Sequence, residues 1–215
     1  MNNRPRLPVR GVYAITPDAE LAQAGLTTQV ESAIRGGAVI IQYRRKHISR
    51  AGALEELAAL RALCSGTGTL LIVNDDLDLA LASGADGVHL GREDGDWEAY
   101  AALIERPLLV GISCYNDGAR ALHAAACGAD YVAFGSFFAS NTKPEARLCT
   151  LATLRAARAE LHLPIVAIGG ITPENGASLV RAGADFLAVI SGIFAQPSIE
   201  SAAARYAGLF GEHHV

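Results

Sequence analysis

Short apolar runs alternate with longer amphipathic, alanine-rich stretches along almost the whole chain. The runs are VYAIT at 12–16, GGAVIIQ at 36–42, LLIVN at 70–74, GADGVHL at 84–90, LLVGIS at 108–113, GADYVAF at 128–134, PIVAIG at 164–169 and GADFLAV at 183–189. They are rich in β-branched and aromatic residues with few polar positions, as in strands buried on both faces of a parallel sheet. The stretches between them place apolar residues at helical spacing. Four runs begin at a Gly-Ala pair, at Gly37, Gly84, Gly128 and Gly183. Glycine there supplies the positive φ that closes a helix, so these junctions are helix-to-strand turns.

Interleaved, the two sets give eight strand–helix units in 215 residues, which predicts an α/β, single-domain (β/α)8 TIM barrel. The competing architecture, an open doubly wound sheet, usually carries a glycine-rich first strand–helix turn. Here the first strand runs into Ile15-Thr16-Pro17-Asp18, with no glycine before Gly25. No linker divides the chain. Residues 1–10 are expected to be an N-terminal extension and residues 11–215 the barrel.

A barrel sorts polar residues by end, because chemistry sits at the C-terminal ends of the strands and the opposite face is structural. Asp86, Asp130 and Asp185, each in Gly-Ala-Asp before a strand, fall on the structural face. At the other end, strand 2 closes in Gln42-Tyr43-Arg44-Arg45-Lys46. Alternation points Gln42, Arg44 and Lys46 one way and Tyr43 and Arg45 elsewhere. The converging cations suit an anionic ligand; the alternative is a solvated basic loop. Strand 3 ends in Asn74-Asp75-Asp76, and strand 4 is followed by Gly91-Arg92-Glu93-Asp94. A strand-terminal Asp is often the N-cap of the next helix. Set opposite Arg44 and Lys46, however, these acids suit a hard cation such as Mg²⁺ bridging a diphosphate. Spacing alone does not name the ligands.

The segment Gly135-Ser136-Phe137-Phe138-Ala139-Ser140-Asn141-Thr142-Lys143-Pro144 after strand 6 offers hydroxyls, an amide and a lysine. It reads either as a cover over a phosphate or as an ordinary exposed loop. Glycines after strands 7 and 8, in Ile168-Gly169-Gly170-Ile171 and Ile190-Ser191-Gly192, let backbone N–H groups approach a phosphate. The six histidines form no cluster. Only His89 stands near a strand top, as a packed or hydrogen-bonded barrel residue, so the expected site is electrostatic.

Composition narrows the classes further. No apolar stretch approaches the ~20 residues of a membrane span, and the polar, proline-broken start has no export-signal pattern; a cytoplasmic protein is expected. Cys64, Cys114, Cys127 and Cys149 lack zinc-ligand spacing and read as small apolar residues. With a net charge of −4 and no extended basic patch, nucleic-acid binding is disfavoured.

Together, GVYAIT, IIQYRRK, LLIVNDDLDLALASGADGVHLGRED, VGISCYN, ADYVAFGSFFASNTKP and PIVAIGGITPENGASLVRAGADFLAVISGIF resemble the thiamine-phosphate synthase family, in family order over nearly the whole chain. Q-x-R-x-K, N-D and H-L-G-x-E-D at these spacings carry the specificity. The resemblance implies a transferase joining 4-amino-2-methyl-5-hydroxymethylpyrimidine diphosphate to 4-methyl-5-(2-hydroxyethyl)thiazole phosphate, with release of pyrophosphate. It implies that Gln42, Tyr43, Arg44, Arg45, Lys46 and Asn74 hold the pyrimidine diphosphate, and that Asp75 and Asp94 bind Mg²⁺. Ser113 and Lys143 then meet the diphosphate or departing pyrophosphate, and Arg44, Lys46, Ser113 and Lys143 are the catalytic set. Ser140, Asn141 and Thr142 align with the thiazole-phosphate loop, and Gly170, Ile190 and Ser191 with the phosphate cup. The family mechanism is dissociative, needing no general base for bond formation. Two other readings are a thiazole tautomerase, for which ISCYND offers no histidine acid/base, and a non-catalytic phosphate sensor, which could dispense with the metal acids. Small-molecule substrates are the expected partners, with neither nucleic acid nor membrane; a homo-oligomer is left open.

Overall fold

The computed structural model describes residues 5–18, 25–91, 108–139 and 148–211. Eight parallel strands close into a barrel in sequence order. They are β1 Gly11–Ile15, β2 Ala38–Tyr43, β3 Leu70–Asn74, β4 Gly87–Leu90, β5 Leu109–Tyr115, β6 Tyr131–Gly135, β7 Ile165–Ile168 and β8 Phe186–Val189. Closure is made by β1 against β8, with Val12 opposite Leu187. The helices are α1 Leu26–Arg35, α2 Arg50–Thr67, α3 Leu77–Ser83, α4 Gly118–Ala126, α5 Leu151–Glu160, α6 Pro173–Arg181, α7 Ser191–Phe194 and α8 Ile199–Ala207. The helical stretch expected between β4 and β5 lies outside the described residues. No helix among the described residues is long and apolar enough to cross a membrane.

Strand alternation divides the core into two layers. Val12, Leu57, Val88, Phe134, Leu154 and Leu187 belong to the layer between barrel and helices. Tyr13, Ile40, Ile72, Leu109, Tyr131, Val166 and Phe186 fill the barrel interior. Burial on both faces explains the nearly continuous apolar strand sequences. Cys64, Cys114 and Cys149 are buried and Cys127 is partly exposed. Burial pushes the Cys64 and Cys114 thiols up to about 12.

The Gly-Ala-Asp junctions have two separate jobs. Glycine closes the helix, as at Gly84 with φ 65° and Gly183 with φ 108°. Aspartate then stitches the start of its own strand to the start of the preceding one. Asp86 Oδ2 accepts from Leu71 N–H at 2.8 Å, Asp130 Oδ2 from Val110 N–H at 2.7 Å and Asp185 Oδ2 from Ile165 N–H at 2.8 Å. These carboxylates satisfy backbone donors at the barrel bottom that would otherwise be orphaned. A groove of about 490 Å³, lined in part by Arg61, Ser65, Thr69 and Asp86, lies at this same end.

Candidate active site

Inward positions of five strands bring a line of polar groups together beneath the barrel mouth. Gln42, buried on β2, donates from Nε2 to Tyr13 Oη on β1 at 2.9 Å. Tyr13 Oη lies 2.9 Å from Tyr131 Oη on β6, and Tyr131 Oη lies 3.2 Å from His89 Nδ1 on β4. His89 Nε2 is 2.9 Å from Ser113 Oγ near the top of β5. The His89 and Tyr131 rings also stack, 5.6 Å apart at 21°. Burial pushes both phenols well above the ordinary tyrosine range, so they stay neutral. Just beyond Ser113 the β5–β6 register shifts, before Tyr115. Arg120 of α4 holds this corner, donating to the Ser113 carbonyl at 2.9 Å and the Gly91 carbonyl at 3.2 Å.

At the top of β2, Arg44 and Arg45 separate as alternation requires. The Arg44 guanidinium donates to Asp18 Oδ2, and Asp18 Oδ1 accepts the Lys46 backbone N–H at 3.0 Å. Thr16 clamps the same turn: its Oγ1 accepts from Arg44 N–H at 2.9 Å and donates to the Arg44 carbonyl at 3.2 Å. Asp18 thus fixes a cation at the mouth and neutralises part of its charge. Tyr43 and Arg45, expected among the pyrimidine-holding residues, turn their side chains into the helix layer. Tyr43 Oη donates to Glu56 Oε2 at 2.7 Å, and Arg45 lies 3.4 Å from Glu56 Oε1. The cause is strand alternation, which sends 43 and 45 outward when 42 and 44 point inward.

The two acids after β3 also divide their roles. Asp76 caps α3, its Oδ1 accepting from Leu79 N–H at 2.7 Å. Asp75 does not cap. It sits at φ 63°, a left-handed conformation that Asp tolerates better than most residues, and its N–H donates to the His89 carbonyl at 2.8 Å. This bond ties the exposed Asp75 to the end of β4, whose continuation carries Asp94. Among the described residues no group of three or more His, Cys, Asp or Glu could hold a metal ion. Asp94 lies outside them, as do Ser140, Asn141, Thr142 and Lys143.

Residues 12–193 match the sequence model of thiamine monophosphate synthase. The chain belongs to the thiamine monophosphate synthase family. It is a transferase of thiamine biosynthesis (EC 2.5.1.3). Thiamine-phosphate synthase of Azoarcus sp. (strain BH72) is 48% identical over 202 residues, 94% of this chain and 98% of that protein. Thiamine-phosphate synthase of Acidithiobacillus ferrooxidans (strain ATCC 53993 / BNL-5-31) is 48% identical over 205 residues, 94% of each chain. The solved thiamine phosphate pyrophosphorylase from Pyrococcus furiosus superposes with a TM-score of 0.85 at 34% identity, covering 94% of this chain and 96% of that one.

In this thiamine monophosphate synthase family member the segment after β6 packs onto the end of β7. Phe137 N–H donates to the Ile168 carbonyl at 3.1 Å and Phe138 N–H to the Gly169 carbonyl at 3.0 Å. A Cβ on Gly170 would lie 2.5 Å from the Ala139 carbonyl oxygen, so glycine there admits the close approach of this segment. Ile190 precedes the four-residue α7 as its N-cap, and the exposed Ser191 opens it. Sequence reasoning missed Thr16, Asp18 and Arg120 as organisers of the mouth, and Tyr13 and Tyr131 beneath it. The tyrosines share inward strand positions with Gln42 and His89, and that parity was the available signal.

Proposed function

We propose that the chain couples 4-amino-2-methyl-5-hydroxymethylpyrimidine diphosphate with 4-methyl-5-(2-hydroxyethyl)thiazole phosphate in the cytoplasm, with Mg²⁺, to give thiamine phosphate and pyrophosphate. The observation that carries this reading is one arrangement: a hydrogen-bonding floor from Gln42 to Ser113, rimmed by Arg44 and by the exposed Asp75. A flat heteroaromatic ring suits the floor, and a diphosphate suits the rim.

Gln42 and Asn74 hold and orient the pyrimidine. Arg44 and Lys46, with Ser113 and Lys143, meet the diphosphate, where charge grows as the C–O bond breaks; they therefore stabilise the transition state more than the ground state. Asp18 prevents Arg44 from swinging to solvent, which lowers the reorganisation cost. An oxygen-donor carboxylate set fits Mg²⁺; Asp75 with Asp94 would hold it, and it would neutralise diphosphate charge. The exposure of Asp75 at the barrel mouth agrees with that assignment. Ser140, Asn141 and Thr142 take the thiazole phosphate together with Gly170, Ile190 and Ser191. The reaction is dissociative: pyrophosphate departs first, and the thiazole nitrogen, which carries no proton, captures the pyrimidine carbocation. No general base is required for that step.

The test supplies both substrates with and without Mg²⁺ and follows pyrophosphate and thiamine phosphate. Failure to form both with Mg²⁺ present refutes the reading. Asp75→Asn is expected to lower turnover by about a hundredfold or more with unchanged circular dichroism; unchanged turnover at saturating Mg²⁺ removes Asp75 from the metal site.

A further inference from the structure

We propose that Tyr13 and Tyr131 are positioning residues that form a one-way hydrogen-bond relay, fixing His89 as its Nε2–H tautomer and turning the Ser113 hydroxyl proton away from His89. The inference rests on the reading above for its kinetic consequence, though not for the relay itself.

The argument follows the protons. Gln42 Nε2 donates to Tyr13 Oη, so the Tyr13 proton must go elsewhere. Tyr13 is almost wholly buried, and its other hydrogen-bond partner is Tyr131 Oη. A buried hydroxyl without an acceptor bears its full desolvation cost, so Tyr13 donates to Tyr131. Tyr131, fully buried, then passes its own proton toward His89 Nδ1. A neutral imidazole that accepts at Nδ1 carries its proton on Nε2. His89 therefore donates to Ser113 Oγ, and the Ser113 hydroxyl keeps its proton for another acceptor at the mouth. Each group has one proton to give, so reversing any single bond leaves a buried oxygen unsatisfied or two donors facing each other. The barrel is also shaped around the relay. A Cβ on Gly111 would lie 1.9 Å from Tyr131 Cζ and 2.3 Å from its Oη, so glycine at this position leaves room for the phenol.

The test uses the full chain at neutral pH without substrate, with ¹⁵N-labelled histidine and long-range ¹H–¹⁵N correlation, His89 being assigned from a His89→Asn spectrum. The wild-type enzyme is expected to show a protonated Nε2 and a bare Nδ1 at His89. Tyr131→Phe removes the donor to Nδ1 and is expected to yield mixed tautomers. Tyr13→Phe, which frees Tyr131 to reverse, is expected to do the same. In both variants KM for the pyrimidine diphosphate should rise about tenfold, the worth of one hydrogen bond, while KM for the thiazole phosphate stays unchanged. A proton on Nδ1 in the wild type overturns the proposal. So does a tautomer that is unchanged in a folded Tyr131→Phe variant, or an equal rise in both KM values, which marks a merely structural role. Should Tyr131→Phe fail to fold, the wild-type and Tyr13→Phe spectra decide. If no thiamine phosphate forms while the tautomer signals behave as stated, the relay stands and the proposed function falls.

Discussion

Placing a single methyl group at Gly111 tests how strictly the barrel interior is built. Gly111 is buried in β5, and the added Cβ would lie 1.9 Å from Tyr131 Cζ and 2.3 Å from Cε2 and Oη. Carbon atoms prefer about 3.5–4.0 Å, so the ring must retreat by roughly 1.5 Å or more. It has little room, because Tyr131 is fully buried and stacks on His89. Overpacking of this kind costs about 1–3 kcal/mol, and losing the hydrogen bonds to Tyr13 and His89 adds about 1 kcal/mol each. Gly111→Ala is therefore expected to destabilise the fold by about 4 kcal/mol, a large part of the ~5–15 kcal/mol that holds a domain folded. Urea unfolding followed by circular dichroism measures this. Tyr131→Leu supplies the control, since a shorter side chain makes way for the methyl group. The double variant Gly111→Ala/Tyr131→Leu should be less destabilised than the sum of the singles by about 2 kcal/mol. A Gly111→Ala enzyme within about 0.5 kcal/mol of wild type, or strictly additive singles, refutes the steric argument.

Two further predictions concern stability. Burial holds the Cys64, Cys114 and Tyr206 protons up to about 12, and those of Tyr13 and Tyr131 higher than usual. In the unfolded chain these groups titrate near their ordinary values, about 8.5 for Cys and about 10 for Tyr. Above those values the unfolded state binds fewer protons than the folded state, so stability must fall as pH rises. The stabilisation is complete below about pH 8.5 and is lost progressively toward about 12. Thermal melts should show this alkaline decline, less steep in Tyr13→Phe; a flat Tm from pH 8 to about 10.5 contradicts it. At the barrel bottom, Asp86→Ala orphans the Leu71 N–H and should cost about 1–3 kcal/mol. The kcat of the folded variant should be unchanged, and a selective fall in kcat would show that Asp86 serves the chemistry.

The strands were legible because each is buried on both faces, leaving nearly unbroken apolar runs that only glycine turns interrupt. The sidedness of Asp86, Asp130 and Asp185 followed from their place before a strand. Alternation likewise separated the side chains of Gln42 and Arg44 from those of Tyr43 and Arg45. The choice between Asp75 and Asp76 was not legible, since both stand where a helix cap could form. One hydrogen bond to Leu79 and one backbone bond to His89 divided them.

By itself, then, the sequence determined the order of elements, the two ends of the barrel and which strand residues face inward, because each depends on neighbours a few positions apart. Only the tertiary structure decided which inward groups meet. Tyr13 and Tyr131 are 118 positions apart and joined by hydroxyls at 2.9 Å, and Arg44 finds Asp18 across a strand boundary. Such pairings arise from barrel closure and strand register, which bring β1 beside β8 and set the height of each side chain. No local periodicity encodes that height, and on it depend the polar floor and the charged rim.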